Sequence, residues 1–223
     1  MHDVAQQIIR IVLSAAGGAA VGAAGTFFAG VLLRRRERTY SVSRGKKLLF
    51  IPGAAVIGGV IGACTEGVPR PICGLLLLGV LITVSLTDWL HRIIPNETVL
   101  AILLLALAFG IPTLCGAQQF LYFDIVQSLI GLVVCFVVFA IPGLFGKKVG
   151  AGDVKLAAAV GFFLGINYAL LAIAIMGLLV IVWGVLQRQM PVLAYLKSSI
   201  PMGPFIAVGL LASFILSNAL PIL

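Results

Sequence analysis

The chain has 223 residues, of which 61% are apolar and only 10% are charged, and its mean hydropathy is +1.20. Soluble globular domains carry about 25% charged residues, so this composition excludes an ordinary soluble protein. A membrane β-barrel would show short segments of alternating polarity, and none are visible. The composition therefore predicts an all-α polytopic membrane protein that forms a single membrane domain over residues 1–223.

The net charge of +8 does not indicate a nucleic-acid-binding protein. The basic residues cluster in short loops between apolar runs, which is how topology is encoded in membrane proteins, so the lipid bilayer is the expected partner. The four cysteines show no CxxC pair and no His/Cys spacing typical of a metal site. They are predicted to be small apolar helix residues, with a disulfide between Cys64 and Cys73 as the alternative. No metal and no cofactor are expected.

Apolar runs predict the helices in chain order, because about 20 apolar residues span a bilayer. The first run, 8–33, is too long for a signal-peptide core and is expected to stay attached. Its Gly18 and Gly22, like Gly58 and Gly62 in the second run, have the spacing that suits close helix–helix contact. The later runs are about 48–64, 72–86, 98–114, 125–145, 154–186 and 205–220.

The run 154–186 would form a helix of about 50 Å, far longer than the ~30 Å hydrocarbon core, so we predict a break near 165–167. This gives about eight transmembrane or membrane-embedded helices with both termini outside. Of the fifteen Lys and Arg residues, only Arg10 and Arg70 then fall outside, which leaves thirteen on the cytoplasmic side. That asymmetry is typical of a correct topology. The cytoplasmic loops are 34–47, 87–97, 146–155 and 187–204.

Two aspartates, Asp88 and Asp153, lie at the ends of apolar runs in a chain with only seven acidic residues. An ionisable residue at a membrane boundary is a functional-site hypothesis. Two spans separate the aspartates, so both are predicted at the cytoplasmic interface, in the loops 87–97 and 146–155. Paired carboxylates can share one proton, so that one activates a water and the other donates to the substrate.

Gly150 and Gly152 flank Ala151 immediately before Asp153. Glycine permits backbone angles closed to other residues and the close approach of a substrate chain, so both glycines are predicted to bind substrate. A glycine-rich turn at a helix start, with Asp153 as the N-cap, would look similar. The spacing alone leaves these two alternatives open.

The segment 150–156, Gly-Ala-Gly-Asp-Val-Lys-Leu, together with Thr87-Asp88 and Ile94-Pro95-Asn96, resembles the type IV prepilin peptidases. These are bacterial membrane aspartic peptidases of the GxGD type. The segment 200–204, Ile-Pro-Met-Gly-Pro, is similar to that family's proline/glycine segment before its last helix. The resemblance extends from about residue 70 onward. It implies that Asp88 and Asp153 are catalytic and cleave short basic leaders from type IV prepilin or pseudopilin precursors at the bacterial inner membrane.

The loop 34–47 departs from the pattern of many relatives, which carry paired CxxC motifs after the first helix and methylate the new N-terminus. It has no cysteine, so we expect a peptidase without methyltransferase activity.

Three charged or polar residues near the aspartates have two interpretations each. Glu97 could bind a basic leader residue, although an acidic residue at a helix start is favoured by the macrodipole anyway. His91 could change the pKa of Asp88 from one helical turn away, or it could be an interfacial polar residue. Lys155 could change the pKa of Asp153, or it could anchor the helix at the interface.

Two other functions are weighed against this one. An intramembrane protease of the presenilin or signal-peptide-peptidase type would want a tyrosine before the first aspartate, where Thr87 stands, and a Pro-Ala-Leu triplet, which is absent. A transporter that uses intramembrane carboxylates often shows internal repeats, and none are visible.

Overall fold

The computed structural model describes residues 2–36, 44–114, 124–144, 150–186 and 201–219, and within these ranges every regular element is an α-helix. The all-α prediction is therefore confirmed for the described part of the chain. Four helices, α1, α3, α5 and α6, are long and apolar enough to cross a membrane, and the other three are shorter apolar helices. The helices are α1 His2–Arg35, α2 Arg44–Cys64, α3 Pro69–His91, α4 Asn96–Leu114, α5 Ile125–Leu144, α6 Ala151–Leu186 and α7 Gly203–Ala219.

The outward faces of the helices are apolar. Large side chains on α1, α5 and α6 are each more than half exposed, among them Leu13, Phe27, Val126, Leu178 and Ile181. In water such faces would form apolar patches far larger than soluble proteins tolerate. A lipid environment removes that cost, in agreement with a membrane protein.

The α1–α2 pair packs through the glycines that the spacing singled out. A Cβ on Gly18 would run into the Ala54 carbonyl oxygen, and a Cβ on Gly58 would run into the Ser14 carbonyl oxygen. Gly22 and Gly62 face the same interface, where added Cβ atoms would meet Ala54 Cβ and Ser14 Cβ at 2.6 Å. The predicted role of these glycines in close helix contact is confirmed, since only a hydrogen in place of the side chain allows this separation.

The long helix α6 is broken at Gly165, where φ is 71° and ψ is 171°. This backbone region is essentially restricted to glycine. In a straight helix Gly152 and Trp183 would be about 46 Å apart. Instead both lie at the C-terminal end of α3, because a Cβ on Gly152 would be 3.0 Å from Ile94 Cβ and the Trp183 ring is 6.3 Å from the Trp89 ring. The chain therefore reverses at Gly165, and the predicted break is confirmed.

The core lies between α3, α6 and α7. Leu77 and Val84 of α3, Leu156 of α6 and Leu210 and Phe214 of α7 are all almost fully buried in one cluster. Thr83 of α3 satisfies its hydroxyl by donating to the carbonyl oxygens of Gly79, in its own helix, and Gly25, in α1. The third helix thus packs against α1, α2, α4 and α7, and more than half of it is buried.

The cysteines follow the simpler prediction. Cys64, Cys73 and Cys135 are free thiols, and the latter two are buried in apolar surroundings. The structure therefore has no disulfide between Cys64 and Cys73. Cys115 lies outside the described residues.

Helix ends differ from the ends of the apolar runs at both aspartates. The loop predicted at 87–97 is shorter, because α3 continues through Asp88 to His91 and α4 begins at Asn96. The end of α3 is set by Arg92, whose left-handed φ of 53° places its N–H on the Asp88 carbonyl oxygen at 2.8 Å. Likewise α6 begins at Ala151, inside the loop predicted at 146–155. Residues 37–43, 145–149 and 187–200 of the predicted loops lie outside the described part.

Candidate functional site

Asp88 lies in the last turn of α3 and is only 4% exposed. Its Oδ2 accepts a hydrogen bond of 2.7 Å from the backbone N–H of Gly203. Gly203 is the first residue of α7, and the first N–H groups of a helix have no partner within the helix. The carboxylate therefore satisfies an orphan donor, and the positive end of the α7 dipole faces it.

Gly203 is in such close contact with Asp88 that no other residue fits without movement. A Cβ on Gly203 would lie 2.8 Å from Asp88 Cβ and 2.9 Å from Asp88 Oδ2. The segment 200–204 was predicted only to precede the last helix. Its contact with Asp88 was missed, because it joins residues 115 positions apart and no local pattern reports such a pair.

Asp153 lies in the first turn of α6 and is partly buried. The N–H groups of Asp153 and Val154 point at the Gly150 carbonyl oxygen, at 3.0 and 3.3 Å. Gly150 therefore occupies the position before the helix, and Asp153 is the third helical residue. The alternative in which Asp153 is the N-cap is wrong, although the carboxylate still lies at the positive end of the helix dipole.

The two glycines before Asp153 do not have the backbone angles expected of them. Among the residues that the structure describes, positive φ at glycine occurs only at Gly67 and Gly165. What Gly150 and Gly152 provide is space. A Cβ on Gly150 would lie 2.5 Å from Asp153 Oδ2, and one on Gly152 would lie 3.0 Å from Ile94 Cβ. The close approach predicted for a substrate chain is made here by the protein itself.

The two aspartates come together at one end of the bundle. Asp88 lies in the last turn of α3, and Gly152, the residue before Asp153, lies against Ile94 just beyond the end of that helix. The segment between α3 and α4 links them, because the Lys155 Nζ lies 3.5 Å from the Asn96 Oδ1 and Gly152 lies against Ile94. The prediction that both aspartates lie on the same side is confirmed.

Aromatic side chains surround this end of the bundle. The Trp183 ring lies 6.3 Å from Trp89 and 6.2 Å from Phe205, in edge-to-face arrangements. Trp89, next to Asp88, is 56% exposed on the outer surface. Tryptophan is enriched where membrane meets water. The aromatic composition of this end of the bundle is therefore that of an interfacial one.

The neighbouring charged residues have partners of their own. Glu97, in the first turn of α4, is exposed and pairs with Arg36 at 3.2 Å. Lys155 contacts Asn96 and makes no ion pair with Asp153. His91 lies in the last turn of α3, so the helix does continue from Asp88 to it. The described residues contain no group of three or more His, Cys, Asp or Glu side chains that would hold a metal ion.

Comparison with known proteins adds one finding. Residues 75–185, about half of the chain, match the model of the type IV leader peptidase family. The matched segment begins within α3 and ends one residue before the end of α6, so it contains both Asp88 and Asp153. No curated protein and no solved structure shows significant similarity to the chain.

Proposed function

This chain belongs to the type IV leader peptidase family, and from that membership we propose that it is an aspartic endopeptidase of prepilin-like precursors. Its substrates would be type IV prepilins or pseudopilins, from which it removes the short basic leader peptide. The observation that carries the proposal is the meeting of Asp88 and Asp153 at one interfacial end of the bundle.

The mechanism assigns a different role to each carboxylate. The Gly203 N–H occupies Oδ2 of Asp88 and fixes the plane of that carboxylate, which leaves Oδ1 to accept a proton from water. The water oxygen attacks the scissile carbonyl carbon while protonated Asp153 donates to the carbonyl oxygen. Asp88 then passes its proton to the leaving amine as the C–N bond breaks, and Asp153 regains a proton from the hydroxyl of the intermediate. One shared proton is present at the start and at the end.

The catalytic end of the bundle is assigned to the cytoplasmic side of a bacterial inner membrane. The pair between Arg36 and Glu97 brings the arginines at the end of α1 to the same end of the bundle as Asp88. A cluster of positive charges marks the side that is not translocated. With the reversal at Gly165, the proposed topology has eight membrane-embedded segments and an outer N-terminus. The basic leader of the substrate then stays on the cytoplasmic side, where the catalytic end of the bundle is assigned.

Glu97 is proposed to bind the basic leader. It is exposed beside the site, and its present partner, Arg36, is held by a surface ion pair that contributes about 1 kcal/mol or less. A lysine or arginine of the substrate can replace Arg36 at little cost. Gly150 and Gly152 act in substrate binding through the shape that they give to the start of α6.

Cleavage of a purified prepilin by the wild type and by Asp88→Asn and Asp153→Asn variants tests the proposal. Both variants should lose cleavage, since each removes one member of the pair. Asp124→Asn is the matched control: Asp124 caps α5 by accepting from the Val126 N–H at 2.8 Å, and asparagine caps a helix equally well. Wild-type cleavage by either Asp88→Asn or Asp153→Asn would refute the two-aspartate mechanism.

The proposed enzyme does not methylate its product. Incubation of a prepilin with labelled S-adenosylmethionine should yield an unlabelled mature protein. A labelled N-terminus would show that the short loop 34–47 suffices for methyl transfer.

A further inference from the structure

A groove separate from the aspartates runs between α1, α3 and α4. Its volume is about 490 Å³, and its walls are mostly apolar. Gly25 and Gly79 lie along it, and their missing side chains let α1 and α3 approach closely, since a Cβ on Gly25 would lie 2.9 Å from the Gly79 carbonyl oxygen. Leu76, Val80 and Thr83 of α3 line it, on a face of that helix different from the one that presents Asp88 to α7.

The mouth of the groove carries positive charge. Arg35, exposed in the last turn of α1, lines it together with Glu97 and Thr98. Glu97 is neutralised by Arg36, and neither Arg34 nor Arg35 forms an ion pair with any other described residue. Three arginines and one glutamate leave a net charge of 3 − 1 = +2 at this end. An anionic group is therefore attracted to Arg35.

The dimensions of the groove indicate what fits in it. Lining residues on α1 extend from Val21 to Arg35, which is about 21 Å of helix, so 490 Å³ corresponds to a mean cross-section of about 23 Å². An apolar cavity of about 150 Å³ holds one benzene ring, so the groove holds about twenty carbon atoms. That is the size of one acyl chain.

We propose that this groove is a binding site for one anionic phospholipid, which goes beyond the peptidase function. One acyl chain lies between α1, α3 and α4, and the phosphate lies at Arg35. Basic pockets between membrane helices hold anionic headgroups in this manner. Because Glu97 and Asn96 are neighbours at the start of α4, the bound lipid would border the segment that links the two aspartates.

The test uses the full chain purified in detergent, with phosphatidylglycerol and phosphatidylcholine of identical acyl chains. Native mass spectrometry should show one bound phosphatidylglycerol, held at least about tenfold more tightly than phosphatidylcholine. Arg35→Gln should weaken phosphatidylglycerol binding about fivefold, the expected loss for one cation near an anionic headgroup. The matched control is Arg34→Gln, which removes the same charge one residue away but outside the groove.

A second variant tests the acyl-chain site independently. Ala24 lines the groove and is exposed, so Ala24→Trp fills the groove without disturbing the core and should prevent binding of both lipids. Glycerol phosphate, a headgroup without chains, should not compete. Equal binding of the two lipids, equal losses in Arg34→Gln and Arg35→Gln, or displacement of the lipid by a prepilin would each overturn the proposal.

Discussion

The contact between Gly203 and Asp88 leads to the sharpest prediction, the effect of Gly203→Ala. The added Cβ would lie 2.8 Å from Asp88 Cβ and 2.9 Å from Oδ2, closer than real Cβ atoms come. Both atoms belong to a side chain that is 4% exposed and packed in the bundle, so the start of α7 has to move away from it. The 2.7 Å hydrogen bond from the Gly203 N–H is then lost or lengthened.

The size of the effect follows from that bond. Without it Asp88 is no longer held in place, and because a misplacement of about 1 Å can cost about 100-fold in rate, kcat/KM should fall by about 10- to 100-fold. Gly203 contacts the proposed general base and not the substrate in this mechanism, so the loss should be in kcat while KM changes little.

The assay is steady-state cleavage of a purified prepilin, with circular dichroism to show that helix content is retained. Gly177→Ala is the matched control, since a Cβ on Gly177 would meet nothing within 4 Å. A Gly203→Ala enzyme within about twofold of the wild type would refute the reasoning, because a displaced general base should cost at least about tenfold in rate. A loss of the same size in Gly177→Ala would refute it as well.

Three further substitutions follow from the described contacts. Gly165→Ala should lower the free energy of unfolding by about 1–3 kcal/mol, because a φ of 71° with a ψ of 171° is essentially open to glycine alone. The control Gly177→Ala, in a regular helix, should leave the free energy of unfolding unchanged or raise it by up to about 1 kcal/mol. Equal thermal midpoints of the two variants would contradict this. Gly152→Ala should cost about 1 kcal/mol through contact with the Cβ of Ile94, and Ile94→Gly, which removes that Cβ, should reduce the cost in a double-mutant cycle; strict additivity would show that the two residues do not meet. Glu97→Gln should change stability by less than about 1 kcal/mol but raise KM about fivefold for a prepilin with a basic leader, and an equal rise with a neutral leader would argue against leader binding.

Most of the helices could be predicted because apolar length is a strong signal in a membrane protein. The helix ends could not, since they depend on individual backbone conformations. The apolar run before Asp88 stops at Leu86, yet α3 continues to His91, because Thr87 is buried and its hydroxyl donates to the carbonyl oxygens of Thr83 and Val84 within the helix. A polar residue that is satisfied in this way ends an apolar run without ending a helix.

The glycines likewise divide into those whose packing role a sequence pattern predicted and those whose role it did not. Gly18 and Gly58 were recognised as packing positions because small residues four apart on one helix form a repeating pattern. Gly131 and Gly161 bring α5 and α6 into equally close contact, and Gly161 has the same spacing of four to Gly165, but this repeat was not recognised as a packing pattern. Gly203 owes its role to a tertiary neighbour, the Asp88 carboxylate, whereas Gly150 lies against the carboxylate of Asp153, three residues later in the chain.

The two aspartates also explain why two helices begin at this end of the bundle. Each helix start carries orphan N–H groups and about +0.5 of an elementary charge. α6 begins two residues before Asp153, and α7 begins at the residue that donates to Asp88. Together the two helix starts supply about one positive charge, which equals the single negative charge that the proposed mechanism assigns to the pair of carboxylates. The same arrangement lets carboxylates be buried at the membrane interface and gives partners to backbone groups that lipid cannot satisfy.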